Sequence, residues 1–148
     1  MSAVYGRWVY PVTVAALLSV AVVPLPAHAA PPTEDCRNST NLVGGQGVRI
    51  PTRHGTVWAL PLGPMPISVS NPLKVVWRVT GTGRLTVRIE SPNGKRVPLA
   101  AGPTLHASSN FTHPGAEYGT IFEFDRPGCW TIRLVRAKTR ATVNLLVA

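Results

Sequence analysis

Chemically versatile side chains are concentrated between Ala101 and Tyr118, where the sequence reads AGPTLHASSNFTHPGAEY. Imidazole and carboxylate groups bind divalent metals such as zinc or copper, so His106, His113 and Glu117 form an alternative metal-ligand set. A proline-glycine pair separates the last two residues, which excludes the helical HExxH arrangement. The competing interpretation, which we favour, is that these polar groups satisfy the backbone of a long loop and that no metal or cofactor is bound.

Catalytic pairings in the chain are weak. Ser109 with either His106 or His113 resembles a nucleophile and its base only through closeness in sequence, and no GxSxG motif accompanies them. Glu123 and Asp125 could suggest the two carboxylates of a glycosidase. They are one residue apart and beside Arg126, however, which favours a solvated ion cluster. We therefore expect no catalytic residues and a non-enzymatic binding protein. The alternative is a metal-binding protein or metal-dependent hydrolase that uses the 101–118 segment.

Candidate binding residues combine this segment with basic residues of predicted strands. They are His106, Ser109, Asn110, His113, Glu117, Arg84 and Arg88. The formal net charge is +9 at pH 7, and a field of this sign favours an anionic cell-envelope polymer, with a protein partner as the other expectation. The basic residues are scattered without a polybasic run, so nucleic acid is not the expected partner. The competing interpretation is that the charge only keeps the protein soluble.

The N-terminal residues have the layout of a secretory signal peptide. Arg7 precedes an uncharged, largely apolar run from Val12 to Val23, and the small-residue pattern Ala-His-Ala follows at 27–29. This run is shorter than the roughly 20 apolar residues of a membrane-spanning helix, so we expect cleavage and no transmembrane anchor afterwards. The expected location is secreted or associated with the cell envelope. The predicted organisation is a signal peptide at 1–29, an N-terminal lead-in at 30–52 and a β-sandwich domain at 53–148.

Cys36 and Cys129 are the only cysteines of the chain, and both follow the predicted signal peptide. In an exported protein such a pair predicts a disulfide. It would staple the lead-in to the strand that begins at Cys129. Asn38 and Asn110 each begin an N-glycosylation pattern, which matters only where the source has that pathway.

Short runs of alternating apolar and polar residues, separated by turn signals, predict antiparallel strands. The predicted strands are 47–50, 56–60, a hairpin from Lys74 to Glu90 around Gly81-Thr82-Gly83, 95–100, 119–124, 129–136 and 140–147, with 61–72 as a proline-rich loop or edge segment. The 101–118 segment is predicted to be a long connection. The residues expected to face inward are Val75, Trp77, Val79, Leu85, Val87, Ile89, Trp130, Ile132, Leu134, Val143, Leu145 and Val147.

About seven or eight such strands predict an all-β fold, an immunoglobulin-like antiparallel β-sandwich. Trp77 and Trp130 lie on the apolar phase of their strands and are predicted core residues. Trp58 lies on a short strand, so its burial is open. Cys36 precedes every strong strand, and the predicted disulfide therefore differs from the antibody pattern.

Two segments carry a family resemblance: VVWRVTGTGRLTVRIESPNG and HASSNFTHPGAEYGTIFEFDRPGCWTIRL. Together they resemble a group of uncharacterised secreted bacterial β-domains with a VWRxTGxG hairpin, an HxxS loop, a PGxExG turn and a terminal PGCW strand. The resemblance covers roughly Trp58 to Val147, and its most specific part is Pro127 to Trp130. It implies an exported β-sandwich with no established activity and a shared surface around the histidine-bearing loop.

Overall fold

The computed structural model describes Cys36, Leu42, residues 45–107 and residues 109–148. The predicted signal peptide and the sequon at Asn38 lie outside these described residues. Among the described residues, no helix is both long and apolar enough to cross a membrane.

Nine strands in the described residues form two antiparallel sheets, so the all-β prediction is confirmed. The strands are β1 (Val48–Ile50), β2 (Val57–Leu62), β3 (Leu73–Val79), β4 (Thr86–Glu90), β5 (Arg96–Val97), β6 (Ala101–His106), β7 (Ala116–Phe122), β8 (Gly128–Arg136) and β9 (Thr139–Val147). The five-stranded sheet has the order β1-β2-β3-β7-β6, and the four-stranded sheet has the order β5-β4-β8-β9. β1 lies inside the predicted lead-in and joins the edge of the first sheet.

The core lies between the inner faces of the two sheets. The inward residues predicted from period-two alternation are all buried. Trp77 and Trp130 are the two largest fully buried side chains, and both satisfy their indole N–H. Trp77 Nε1 donates to Thr120 Oγ1 at 2.8 Å, and Trp130 Nε1 donates to the Arg126 carbonyl at 3.0 Å. Both indoles therefore fill the core without leaving a buried donor unpaired.

The predicted hairpin from Lys74 to Glu90 is wrong, because β3 and β4 belong to different sheets. β3 pairs with β2 and β7, whereas β4 pairs with β5 and β8. The connection passes through Gly81 (φ 106°) and Gly83 (φ 78°), which supply left-handed backbone for the crossing. Alternation along a strand reveals which face is buried but not which strand is its neighbour. The buried residues of β3 and β4 therefore share the core from opposite sheets.

The predicted long connection at 101–118 is also shorter than expected. It contains β6 and the first residues of β7, so its described residues outside the strands are only Ala107 and residues 109–115. Gly102 (φ 86°) and Pro103 lie where the β6–β7 register shifts between Ala101 and Thr104. Proline and glycine hide a strand signal, but they are tolerated here because β6 is an edge strand with a bulge.

The predicted disulfide is confirmed. Cys36 and Cys129 are joined with a Cα–Cα distance of 5.6 Å, so the lead-in is attached at the start of β8. The proline-rich segment after β2 lies against the end of β9, where Ala148 exchanges backbone hydrogen bonds with Ile67 and Val69. The turn after β4 forms as predicted, with Gly94 N donating to Ser91 O at 2.8 Å.

Candidate functional site

Four side chains whose groups could bind or react form a row across the outer face of the five-stranded sheet. The register places Trp58 of β2 opposite Arg78 of β3, Arg78 opposite Glu117 of β7, and Glu117 opposite His106 of β6. The strand neighbours of Trp58 and Arg78, such as Ala59 and Val79, are fully buried in the core, so the row points away from it. Strand pairing therefore brings His106 and Glu117 together.

Glu117 is only 2% exposed although it belongs to this outer face. Arg78 Nη2 lies 3.2 Å from Glu117 Oε2, and Ser109 Oγ donates a short hydrogen bond to the same oxygen. His106 Nδ1 lies 3.6 Å from Glu117 Oε1. A buried carboxylate without a partner would cost several kcal/mol, and the guanidinium of Arg78 removes most of that cost.

The other Arg78 donors hold a segment that we call the covering loop, residues 109–115. Arg78 Nε donates to the Phe111 carbonyl at 2.8 Å, and Arg78 Nη1 donates to the Gly115 carbonyl at 3.1 Å. Inside the loop, Phe111 N donates to Ser109 Oγ at 3.0 Å. One guanidinium therefore ties both ends of the covering loop to the sheet, and the loop in turn buries Glu117.

Aromatic contacts fasten the middle of the covering loop. The His113 ring stacks on Trp58 with a centroid distance of 3.9 Å and an interplanar angle of 6°. Phe111 meets His113 edge-on at 4.7 Å. A Cβ on Gly47 would lie 2.7 Å from Phe111 Cε2, so Gly47 leaves room for the phenyl ring. Trp58 is thus partly covered by the loop and is neither a core residue nor an open stacking platform.

Gly119 gives His106 its position. A Cβ on Gly119 would lie 2.9 Å from His106 Nε2, so the imidazole rests against the β7 backbone where no side chain intervenes. His106 is half-buried there, with its other nitrogen toward Glu117. Gly119, the last glycine of the PGxExG motif, therefore makes space for His106, the histidine of the HxxS motif.

The polar and aromatic groups of this cluster are engaged with one another. No group of three His, Cys, Asp or Glu side chains in the described part of the chain could hold a metal ion, and His113 is stacked on Trp58. Ser109 is bonded to Glu117, whose charge is engaged by Arg78. Asn110 is exposed on the covering loop. The cluster serves as a structural anchor for that loop.

Arg78, Phe111 and Trp58 complete this cluster, and sequence reasoning did not assign them to it. Alternation around Trp77 indicated that Arg78 faces outward, but no local signal gives its cross-strand partner. The charge of Arg78 is used inside the protein, in its ion pair with Glu117.

The basic strand residues lie on the opposite side of the molecule, on the outer face of the four-stranded sheet. Arg88 of β4 lies directly opposite Arg133 of β8 in the register. Arg133 pairs diagonally with Glu90, with both nitrogen–oxygen distances at 3.3 Å. Arg84 is exposed just before β4. In the described residues no carboxylate pairs with Arg88, which leaves this guanidinium available.

The acidic pair proposed from sequence does not form a catalytic couple. Arg126 contacts Asp125 through two hydrogen bonds of 3.0 and 2.8 Å, and both side chains are exposed. The hydrogen bonds from Arg126 hold the pKa of Asp125 below its ordinary value. Glu123 is exposed as well. This is the solvated ion pair that the sequence suggested for Asp125 and Arg126.

Two antiparallel sheets packed around one core define an all-β sandwich protein. Compared with known proteins, the chain matches no family model, no curated protein and no solved structure. The resemblance carried by the PGCW strand therefore stays a prediction.

Proposed function

We propose that the protein is an extracytoplasmic, non-enzymatic binding module that holds a linear anionic polymer on the outer face of its four-stranded sheet. The observation that carries the proposal is the register pair of Arg88 and Arg133. Like charges directly opposite each other on a sheet are destabilising, and a bound anion would relieve their repulsion. Among the described residues of this sheet, Glu90 is the one carboxylate on the outer face, and it pairs with Arg133 rather than with Arg88.

Guanidinium groups extend over the full width of this face. Arg96 of β5 lies opposite Glu90, and Arg140 of β9 lies opposite Val135 of β8. With strands about 4.8 Å apart, the four arginines span roughly 14 Å, enough for several charged units of an extended polymer. Exposed hydroxyls of Thr86 and Thr142 between them could donate to the same ligand. This spacing suits repeated charges better than a single small anion.

Strand order supports an immunoglobulin-like assignment within this proposal. The orders β2-β3-β7-β6 and β5-β4-β8-β9 correspond to the A-B-E-D and C′-C-F-G sheets of immunoglobulin domains, with β1 added at one edge. Domains of this type commonly act through their surfaces without catalysis. The disulfide departs from the antibody pattern because it links β8 to the lead-in rather than to β3.

The extracytoplasmic location rests on two features. The disulfide between Cys36 and Cys129 persists in oxidising compartments. The N-terminal sequence has the three-part layout of an export signal. Both agree with an anionic polymer of the cell envelope as the binding partner.

Fluorescence anisotropy with labelled inorganic polyphosphate and labelled polygalacturonate tests the proposal, with labelled dextran as the neutral polymer. We expect binding of at least one polyanion, no binding of dextran, and a steep weakening between about 50 and 500 mM sodium chloride. The double variant Arg88→Gln/Arg133→Gln should raise the Kd about tenfold, or about 1.4 kcal/mol.

A matched variant removes the same charge from the other sheet. Arg49 and Lys74 are exposed on the outer face of the five-stranded sheet. Arg49→Gln/Lys74→Gln should change the polyanion Kd by less than about twofold, since only long-range attraction is lost. Equal weakening by the two double variants would show that net charge, and not this face, determines binding, and would overturn the proposal.

A further inference from the structure

A long groove opens between the two sheets on the side where their edge strands do not meet. It lies between β4 and β5 of one sheet and β6 of the other, and its volume is about 1180 Å³. This exceeds the roughly 300–1,000 Å³ of ordinary small-molecule pockets. The groove shares Arg88 and Arg96 at its rim with the outer-face arginine row, whereas Arg133 and Arg140 of that row do not line it.

Part of the β4 backbone has no strand beside it in this groove. β5 pairs with β4 only at Ile89 and Glu90. Thr86, Val87 and Arg88 pair with β8 on one side and with no described strand on the other. Among the described strands, β6 is likewise paired only with β7. An unpaired edge offers backbone donors and acceptors to an incoming extended chain.

The groove also has an apolar floor that the described part of the chain leaves uncovered. Leu105 lies opposite Tyr118 in the register, so it points to the inner side of its sheet. Tyr118 is 5% exposed, yet Leu105 is 63% exposed because no described residue covers it. Partly buried Val97 and Leu99 line the facing wall. An inward leucine exposed to this degree indicates a docking position for an apolar side chain.

The charge of the residues that line the groove indicates which kind of partner could bind there. Four arginines line the groove, and none of the described residues that line it is a carboxylate: the arginines are Arg84, Arg88, Arg96 and Arg136. Arg136 is fixed by hydrogen bonds to the Val79 and Gly83 carbonyls and lies over the Tyr118 ring. A second copy of this chain, with a net charge of +9, is a poor electrostatic match.

We propose that this groove binds an extended acidic segment of a partner protein, which adds as a strand to the free edge of β4. Apolar side chains on one face of the segment would contact Leu105 and Val97, and carboxylates on its other face would pair with Arg84 and Arg88. Backbone hydrogen bonds along Thr86–Arg88 would supply much of the affinity, and the alternation of side chains would supply specificity. This goes beyond polyanion binding on the outer face and does not depend on it.

A fluorescein-labelled octapeptide of alternating glutamate and valine is the probe. We expect it to bind at least about tenfold more tightly than an alternating lysine-valine peptide, and more tightly than a peptide with its valines and glutamates in two blocks. Alternate backbone N–H groups of a bound strand point to opposite sides, so only every second one can face β4. Methylating that set of nitrogens in the probe should weaken binding, and methylating the other set should not. Amide exchange at Thr86–Arg88 should slow on binding.

Leu105→Glu should weaken binding of the acidic probe about tenfold or more, and its exposure means that folding should survive. Leu146→Glu is the matched control, because Leu146 is 54% exposed on the outer face of the four-stranded sheet. Arg49→Gln, which removes an exposed charge from the outer face of the five-stranded sheet and outside the groove, should leave peptide binding within about twofold.

Three results would overturn the inference. They are equal affinity for the acidic and lysine peptides, unchanged affinity in Leu105→Glu, and concentration-dependent dimerisation of the free protein that Leu105→Glu abolishes. The last result, measured by sedimentation velocity, would show that a second copy fills the groove.

Discussion

Arg78 and Glu117 lie opposite each other on β3 and β7, and their side chains join 3.2 Å apart beneath the covering loop. The carboxylate is 2% exposed and the guanidinium 16%. The same guanidinium holds the Phe111 and Gly115 carbonyls. One cross-strand ion pair therefore determines both the burial of Glu117 and the position of the loop above it.

Breaking this pair should be costly. Arg78→Met leaves a buried carboxylate unpaired and should lower the free energy of unfolding by about 3 kcal/mol. Arg133→Met is the matched control, because its pair with Glu90 is exposed and should cost less than about 1 kcal/mol. Urea unfolding at neutral pH measures both. Similar losses for the two variants would contradict an anchoring role for Arg78.

The contact between Gly47 and Phe111 gives a second prediction. In Gly47→Ala the new Cβ would lie 2.7 Å from Phe111 Cε2, so the ring must move and the covering loop should loosen. We expect a loss of about 1–3 kcal/mol and faster amide exchange at residues 109–115. Gly63→Ala, whose Cβ would meet nothing closer than 3.5 Å, should be neutral or slightly stabilising. Unchanged amide exchange in the covering loop of Gly47→Ala would show that Phe111 does not help to hold this loop on the sheet.

The β8–β9 turn offers a stabilising substitution. Ala137 has φ 51°, in the left-handed region that a side chain with a Cβ disfavours. Ala137→Gly should therefore raise the free energy of unfolding by about 0.5 kcal/mol, after allowing for the greater unfolded-chain entropy of glycine. Ala100→Gly, at an exposed position without positive φ, should lower it by a similar amount. Thermal unfolding of the two variants should shift the Tm in opposite directions.

The Asp125 carboxylate should report the presence of Arg126. Arg126→Gln removes the hydrogen bonds that lower the Asp125 pKa, so that pKa should rise toward its ordinary value. Lys95→Gln removes a weaker, purely coulombic influence and should raise it less. Carbon-13 NMR titration of the carboxyl measures both.

The sign of the pH dependence follows from that lowered pKa. The contribution of Asp125 to stability is present above its unfolded pKa and is lost as pH falls through its folded pKa. Arg126→Gln should reduce this acid sensitivity. A larger rise of the Asp125 pKa in Lys95→Gln would show that Arg126 is not the main cause.

The disulfide should contribute strongly to stability. The cysteines are 93 residues apart in sequence, and closing a loop of this length is worth about 4–5 kcal/mol in the chain-entropy model. The variant Cys36→Ser/Cys129→Ser should lose about that amount in urea unfolding. Reductant should destabilise the native protein and leave the variant unchanged. Two reactive thiols in the native protein, found with a thiol reagent, would contradict the bond.

Much of the fold could be predicted because its signals are local. Alternation of apolar residues identified the buried faces of β3, β4, β8 and β9, and these assignments hold even where the predicted hairpin is wrong. The turn ending at Gly94 depends on residues adjacent in sequence. β6 was missed because its signal is interrupted by Gly102 and Pro103.

The sequence by itself determined the disulfide partners, and it determined which segment carries the polar side chains of the candidate site. A chain with two cysteines allows one intramolecular pairing. The side-chain types of residues 101–118 follow directly from the sequence. Only the tertiary structure decided that Glu117 meets Arg78, that Trp58 lies under His113, and that Arg88 faces Arg133. The physical reason is that cross-strand register joins residues far apart in the chain, and a shift of one residue would move every side chain to the opposite face.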